Sequence, residues 1–240
     1  MTEAEKRARE RIENSRLRRQ RQLRQNAIIC VGLFALVLVG AAALVLLLRP
    51  GEKETAAPPV TDIKYIPQEP EIDVELLPIN DYSRPGTPIE KVTGIVIHYT
   101  ANPGTTAMQN RDYFAGLAQT HTTSASSHFI IGLEGEIVQC IPCNEIAYAT
   151  KERNIDTISI ECCIEEESGR FNAKTYASLV QLVTWLMGRY ELDVDAVIRH
   201  YDVTGKNCPK YYVENESSWR LFKSELTDYI EKNGVARPAE

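Results

Sequence analysis

The chain has 240 residues and a formal net charge of −6. The charge is unevenly spread, because residues 50–240 hold 17 basic and 29 acidic side chains, a net charge of −12. Such a surface repels polyanions, so we do not expect nucleic acid among the partners.

The N-terminal residues predict a membrane anchor. Residues 27–48 are 22 consecutive uncharged residues, long enough to cross the roughly 30 Å hydrocarbon core as a helix. Residues 1–26 hold nine Lys or Arg residues against four Glu, and only Arg49 lies directly after the apolar run. The positive-inside rule therefore predicts a basic cytoplasmic tail at 1–26, a single transmembrane helix at 27–48, and an extracellular remainder. A cleaved signal peptide and a buried core helix are the alternatives.

The next segment is marked by proline. Eight of the twelve prolines lie between Pro50 and Pro88, which together with the acidic residues there predicts an extended stalk over 49–75. A folded domain is expected at 76–233, followed by a tail at 234–240.

Within that domain, strand and helix patterns alternate. The alternation predicts an α/β domain with a central mixed sheet flanked by helices. Helices are expected to begin after Thr105 or Thr106, after Asn172, and after Ser217 or Ser218, with Gly234 ending the last. The predicted strands are 94–99, 128–133, 136–141, 157–163 and 196–200.

Three residues indicate a metal site: His98, His200 and Cys208. Two imidazoles and a thiolate can hold zinc and leave a fourth position open for water, the pattern of a catalytic zinc site. Glu161 also lies late in a predicted strand, where it could transfer a proton. Lys206 precedes Cys208 by two residues and could stabilise a developing oxyanion. Taken singly, each residue has an ordinary structural or surface interpretation.

The other cysteines leave two alternatives open. Outside the cell, an even set could form two disulfides, and buried free thiols are the other interpretation. Cys30 lies in the predicted membrane span. The four cysteines that could pair in this way are Cys140, Cys143, Cys162 and Cys163.

Four ordered segments resemble the zinc-dependent N-acetylmuramoyl-L-alanine amidases of the T7-lysozyme and peptidoglycan-recognition-protein type. They are GIVIHYTA (94–101), SSHFIIGLEGEIVQCIP (126–142), RNIDTISIECC (153–163) and RHYDVTGKNCPKYY (199–212). The resemblance implies the fold of that family and zinc as the cofactor. It implies that His98, His200 and Cys208 bind the zinc, and that Glu161 and Lys206 are catalytic.

By this resemblance, the expected activity is cleavage of the amide bond between N-acetylmuramic acid and L-alanine in peptidoglycan. The alternative is a non-catalytic receptor of the same fold that binds muropeptides. Two departures are present: Ser127 stands where some relatives have a catalytic tyrosine, and 147–150 lacks a histidine that many relatives carry. The candidate substrate contacts are Tyr99, Asn102, Ser127, His128 and Asn154, whereas His121 is expected to be exposed in a loop.

Overall fold

The structure, a computed structural model, describes residues 64–237. Within this range, no helix combines the length and the apolar character that a membrane crossing requires. The predicted basic tail at 1–26 and the predicted span at 27–48 lie outside the described residues.

A six-stranded mixed sheet forms the centre of the domain, in the order β2-β5-β4-β6-β3-β7. β4 and β5 are antiparallel, and the other neighbours are parallel. This confirms the predicted α/β domain with a central mixed sheet. The strands are β1 (Lys64–Tyr65), β2 (Asp73–Val74), β3 (Gly94–Tyr99), β4 (Phe129–Ile131), β5 (Ile137–Gln139), β6 (Thr157–Cys162), β7 (Val197–Arg199) and β8 (Val235–Ala236).

Two of the three predicted helix starts have the expected cap. Thr106 forms a capping box with Gln109, and the side chain of Asn172 accepts the N–H of Thr175, as expected. The prediction that Ser217 or Ser218 caps the last helix is wrong, because that helix follows a short one directly and begins at Glu216. The helices are α1 (Ala107–Thr120), α2 (Ala173–Tyr190), α3 (His200–Thr204), α4 (Lys210–Glu214) and α5 (Glu216–Asn233); 3-10 turns span Lys151–Ile155 and Val194–Ala196.

The two faces of the sheet pack against different helices. The alternation of β3 and β6 turns their isoleucines to one face, where they pack with side chains of α2 and α5. The opposite face packs with α1 through a smaller cluster that includes Phe114, Leu117 and Cys163. The isoleucines are fully buried, and each contributes roughly 2–3 kcal/mol of hydrophobic free energy; they are Ile95, Ile97, Ile158 and Ile160.

Residues N-terminal to the expected domain start at 76 belong to the folded unit. β1 pairs with β8, and β2 extends the sheet alongside β5. The Arg237 guanidinium lies 5.0 Å from the centre of the Tyr65 ring, a cation–π contact. Residues 64–75, within the expected stalk, therefore pack on the domain, as do residues 235–236 of the expected tail.

Candidate metal centre

The three residues proposed as metal ligands come together although 110 positions separate the first from the last. One donor atom from each of His98, His200 and Cys208 lies within 4.8 Å of the others. All three side chains are buried. His98 lies in β3, whereas His200 is the first residue of α3 and does not end β7 as the sequence had predicted.

The contacts of the His98 ring orient it towards Cys208. His98 Nδ1 is 3.8 Å from Cys208 Sγ, while His98 Nε2 is 3.3 Å from the hydroxyl oxygen of Thr150. A His98 Nε2–H that donates to Thr150 leaves the Nδ1 lone pair facing Cys208. The Nδ1 atom of His200 is buried and has no hydrogen-bond partner among residues 64–237.

These donors fit a zinc ion. A buried nitrogen without a partner costs free energy, and coordination to a cation would satisfy the Nδ1 atom of His200. Burial lowers the pKa of His98 well below its ordinary value and that of His200 to about 4, so both imidazoles are in the neutral, ligating form. Burial, together with the charge of Glu161, raises the pKa of the Cys208 thiol to about 12. A bound cation must therefore displace the Cys208 proton.

Glu161 lies beside this cluster because β3 and β6 are parallel and in register. Glu161 is the direct partner of His98, and its Oε1 is 3.9 Å from His98 Nδ1. Its Oε2 is buried and has no hydrogen-bond partner in the part of the chain that the structure describes. Burial raises the pKa of Glu161 to about 8, and the charge of Lys206 opposes the shift. The carboxyl group thus has one oxygen free to exchange a proton.

A cleft of about 590 Å³ opens next to His200. Lys206 and Lys151 are exposed and line this cleft, and the half-buried Asn154 lines it as well. The side-chain oxygen of Asn154 accepts the backbone N–H groups of Ala149 and Thr150, at 3.0 and 2.6 Å. Asn154 therefore lies at the predicted site and also fixes the loop that carries Thr150.

The remaining candidate substrate contacts lie in different environments. Tyr99 is half-buried, and Asn102 is exposed. Ser127 is fully buried, and its hydroxyl donates to the carbonyl of Ser159 at 2.8 Å. His128 is 1% exposed. The substrate contacts of Ser127 and His128 stay predictions, and in this structure the segment entering β4 turns both side chains inward.

Two residues of the site carry no recognisable signal in the sequence. Thr150 is fully buried and contacts His98. Lys151 acts with Lys206 to lower the pKa of His200, after the larger effect of burial. Both come from a loop that folds across the end of β3, a contact that residue spacing does not reveal.

The cysteines in the described residues are free thiols, so the free-thiol alternative holds in this structure. Cys162 and Cys163 are buried on opposite faces of the sheet. Burial raises the pKa of Cys140 and Cys163 to about 12, which keeps both as unreactive thiols. His121 is exposed, as expected, and stacks on Tyr82.

Comparison with known proteins identifies the family. The chain is 34% identical over 172 residues to the N-acetylmuramoyl-L-alanine amidase CwlL of Bacillus licheniformis, covering 66% of this chain and 47% of the relative. It is 31% identical over 182 residues to the N-acetylmuramoyl-L-alanine amidase BlyA of Bacillus subtilis, covering 67% and 48%. The chain thus spans about half the length of the curated relatives it matches.

Solved structures show the same fold. The catalytic domain of XlyA, an amidase of Bacillus subtilis, superimposes with a TM-score of 0.55 at 28% identity, covering 65% of this chain and 99% of that domain. The family model described as N-acetylmuramoyl-L-alanine amidase matches residues 88–211, which is more than half of the chain. This chain therefore belongs to the N-acetylmuramoyl-L-alanine amidase family.

Proposed function

We propose that this protein is a zinc-dependent hydrolase that cleaves the amide bond between N-acetylmuramic acid and L-alanine in peptidoglycan. The observation that carries the proposal is the buried cluster of His98, His200 and Cys208, with the Glu161 carboxylate beside it and an open cleft next to it. Membership of the amidase family selects this amide among possible substrates.

His98, His200 and Cys208 would hold the zinc, and three protein ligands are the number typical of catalytic zinc sites. When bound, zinc supplies a Lewis acid that polarises the scissile carbonyl and makes a water molecule more acidic. The hydroxyl of Thr150 holds the His98 ring in the ligating orientation from the far side.

Glu161 moves the proton. In its ionised form, which the positive charges of Lys206 and of a bound cation would favour, Glu161 accepts a proton from the attacking water and then delivers it to the departing amide nitrogen. The pairing of β6 with β3 fixes the backbone of Glu161 beside that of His98, so the carboxylate lies next to the reacting groups without a conformational search.

Lys206 provides a positive charge at the mouth of the cleft. Its ammonium group forms no ion pair within residues 64–237. An unpaired ammonium there stabilises negative charge on the carbonyl oxygen of the substrate, an effect of a few kcal/mol for well-placed donors.

Residues 27–48 would anchor the protein in the cell membrane as a single span, with the N-terminus in the cytoplasm and the domain facing the cell wall. The sequence supports this part of the proposal through the 22 uncharged residues and the nine basic residues that precede them. The anchor would keep an acidic domain close to its polymeric substrate.

The test uses the full chain in detergent, comparing the wild type with Glu161→Gln and with the exposed control Glu90→Gln. We expect one zinc per chain in all three and release of stem peptide from peptidoglycan by the wild type and the control. Glu161→Gln should keep its zinc and lose activity by about 100-fold or more, because it cannot transfer the proton. Chelation should abolish cleavage, and zinc should restore it.

Intact peptidoglycan after incubation with the zinc-loaded wild type would overturn the proposal and favour the receptor alternative. Full activity of Glu161→Gln would remove Glu161 from the reaction and leave the amidase assignment in place.

A further inference from the structure

The cleft beside the metal centre differs in charge from the rest of the domain. Residues 64–237 hold 16 basic and 25 acidic side chains. The nine residues that line the cleft nevertheless include two lysines, Lys151 and Lys206, and no carboxylate. A cationic cleft in an acidic domain concentrates anionic groups of a ligand at this place.

Lys151 is held there in an unfavourable backbone conformation. Its φ is +51°, in the left-handed region that disfavours residues with a Cβ atom. The two residues before it are fixed, since Asn154 accepts both of their N–H groups and Thr150 is fully buried. Strain of this kind persists where the surrounding structure imposes it, and such positions cluster at ligand sites.

The ammonium group of Lys151 has no carboxylate partner among the described residues, in contrast to those of Lys64, Lys174 and Lys223. It is therefore available to a ligand in the cleft. Lys206 lies on the same cleft next to His200, where its proposed role is at the carbonyl oxygen. Lys151 supplies a second positive charge in the cleft, and the stabilisation of the carbonyl oxygen by Lys206 does not require it.

We propose that Lys151 is a specificity residue that binds a carboxylate in the peptide part of the substrate. The inference rests on the proposed function, because it takes a muramoyl peptide as the ligand. In that substrate, the carboxyl group of muramic acid is consumed in the scissile amide, so the remaining negative charges are peptide carboxylates. The protein then prefers a muramoyl peptide with a free carboxylate near the scissile bond over its carboxamide counterpart.

The test measures binding separately from cleavage. The probes are two muramoyl-L-alanyl peptides that differ only in one group, a carboxylate or a carboxamide on the residue after alanine. Calorimetry with the zinc-loaded full chain carrying Glu161→Gln gives both Kd values without turnover. We expect the carboxylate peptide to bind about tenfold more tightly, as for a hydrogen bond to a charged group.

Three further variants in the same background assign the preference to one side chain. Lys151→Met should bring the ratio of the two Kd values to within about twofold, and Lys151→Arg should retain the preference because it keeps the charge. Lys91→Met removes an exposed lysine that does not line the cleft, and it should leave the ratio unchanged.

Equal binding of the two peptides, no binding of either, or a ratio that Lys151→Met leaves intact would each overturn the inference. Cleavage by the wild type is scored separately. Cleavage without a Lys151-dependent preference refutes the specificity role alone. A Lys151-dependent preference without cleavage refutes the amidase proposal and leaves the carboxylate site in place.

Discussion

His128 should make the domain less stable as the pH falls below about 6.5. The imidazole is 1% exposed, its Nδ1 accepts the backbone N–H of Ser159 at 3.0 Å, and its Nε2–H donates to the carbonyl of Glu145 at 2.8 Å. Only the neutral ring can make both bonds. Burial lowers the pKa of His128 from 6.5 to about 4, and the hydrogen bond to Glu145 and its charge raise the pKa by a smaller amount.

The sign and size of the effect follow from proton linkage. Between pH 6.5 and pH 4, the unfolded chain binds a proton at His128 and the folded chain does not, so stability falls as the pH falls. The contribution is fully present above the unfolded pKa and is lost as the pH approaches the folded pKa of about 4. From pH 7.5 to pH 4.5, the loss from this one group amounts to about 2.5 kcal/mol.

The assay is chemical denaturation of the full chain at those two pH values, for the wild type and for His128→Asn. The variant should lose about 2.5 kcal/mol less than the wild type over this interval. The quantity to compare is the difference between the two proteins in this loss of unfolding free energy. The loss in either protein alone also contains the effect of the buried rings of His98 and His200, which has the same sign. His121→Asn controls for the loss of an imidazole at the surface. The reasoning is refuted if His128→Asn and the wild type lose the same amount.

Two further predictions concern the residue that orients His98 and the ion pair between Arg84 and Glu145. Thr150→Val should weaken zinc binding about tenfold, because it removes the hydroxyl that orients His98. Competition with a chelating dye measures the zinc affinity. Thr150→Ser should bind zinc as the wild type does, and equal affinity of all three proteins would contradict the role of Thr150. Arg84→Met should lower the free energy of unfolding by about 2 kcal/mol, because it leaves the carboxylate of Glu145 without its two-bond partner. The exposed Arg220→Met should change it by less than about 0.5 kcal/mol, and an equal effect of both would count against the Arg84 contact.

The strands that carry the centre of the site could be predicted from the sequence. Alternation along Gly94–Tyr99 and Thr157–Cys162 places His98 and Glu161 on one face and the isoleucines on the other. Thr106 and Asn172 cap their helices as local chemistry predicts. These features depend on period and on neighbouring residues, which a single sequence contains.

The parts that the sequence did not reveal depend on contacts between distant segments. Thr150 reaches His98 across 52 positions, through a loop that Asn154 fixes. The inward turn of Ser127 depends on the carbonyl of Ser159, 32 positions away. The start of α5 at Glu216 depends on where α4 ends, which capping residues alone do not indicate. No local pattern determines such contacts.

The candidate metal centre joins two differently supported halves of the domain. His98 and Glu161 are fixed by the main-chain ladder between β3 and β6. His200 and Cys208 lie beyond β7, at the edge of the sheet, where the backbone N–H of Tyr201 donates to the carbonyl of Cys208 at 2.9 Å. Arg199 is 7% exposed, binds Asp202 in α3, and donates to the carbonyl of Tyr212 in α4. Because a three-ligand site tolerates little displacement, the buried guanidinium of Arg199 and this main-chain bond together support the geometry on the side that the central strands do not reach.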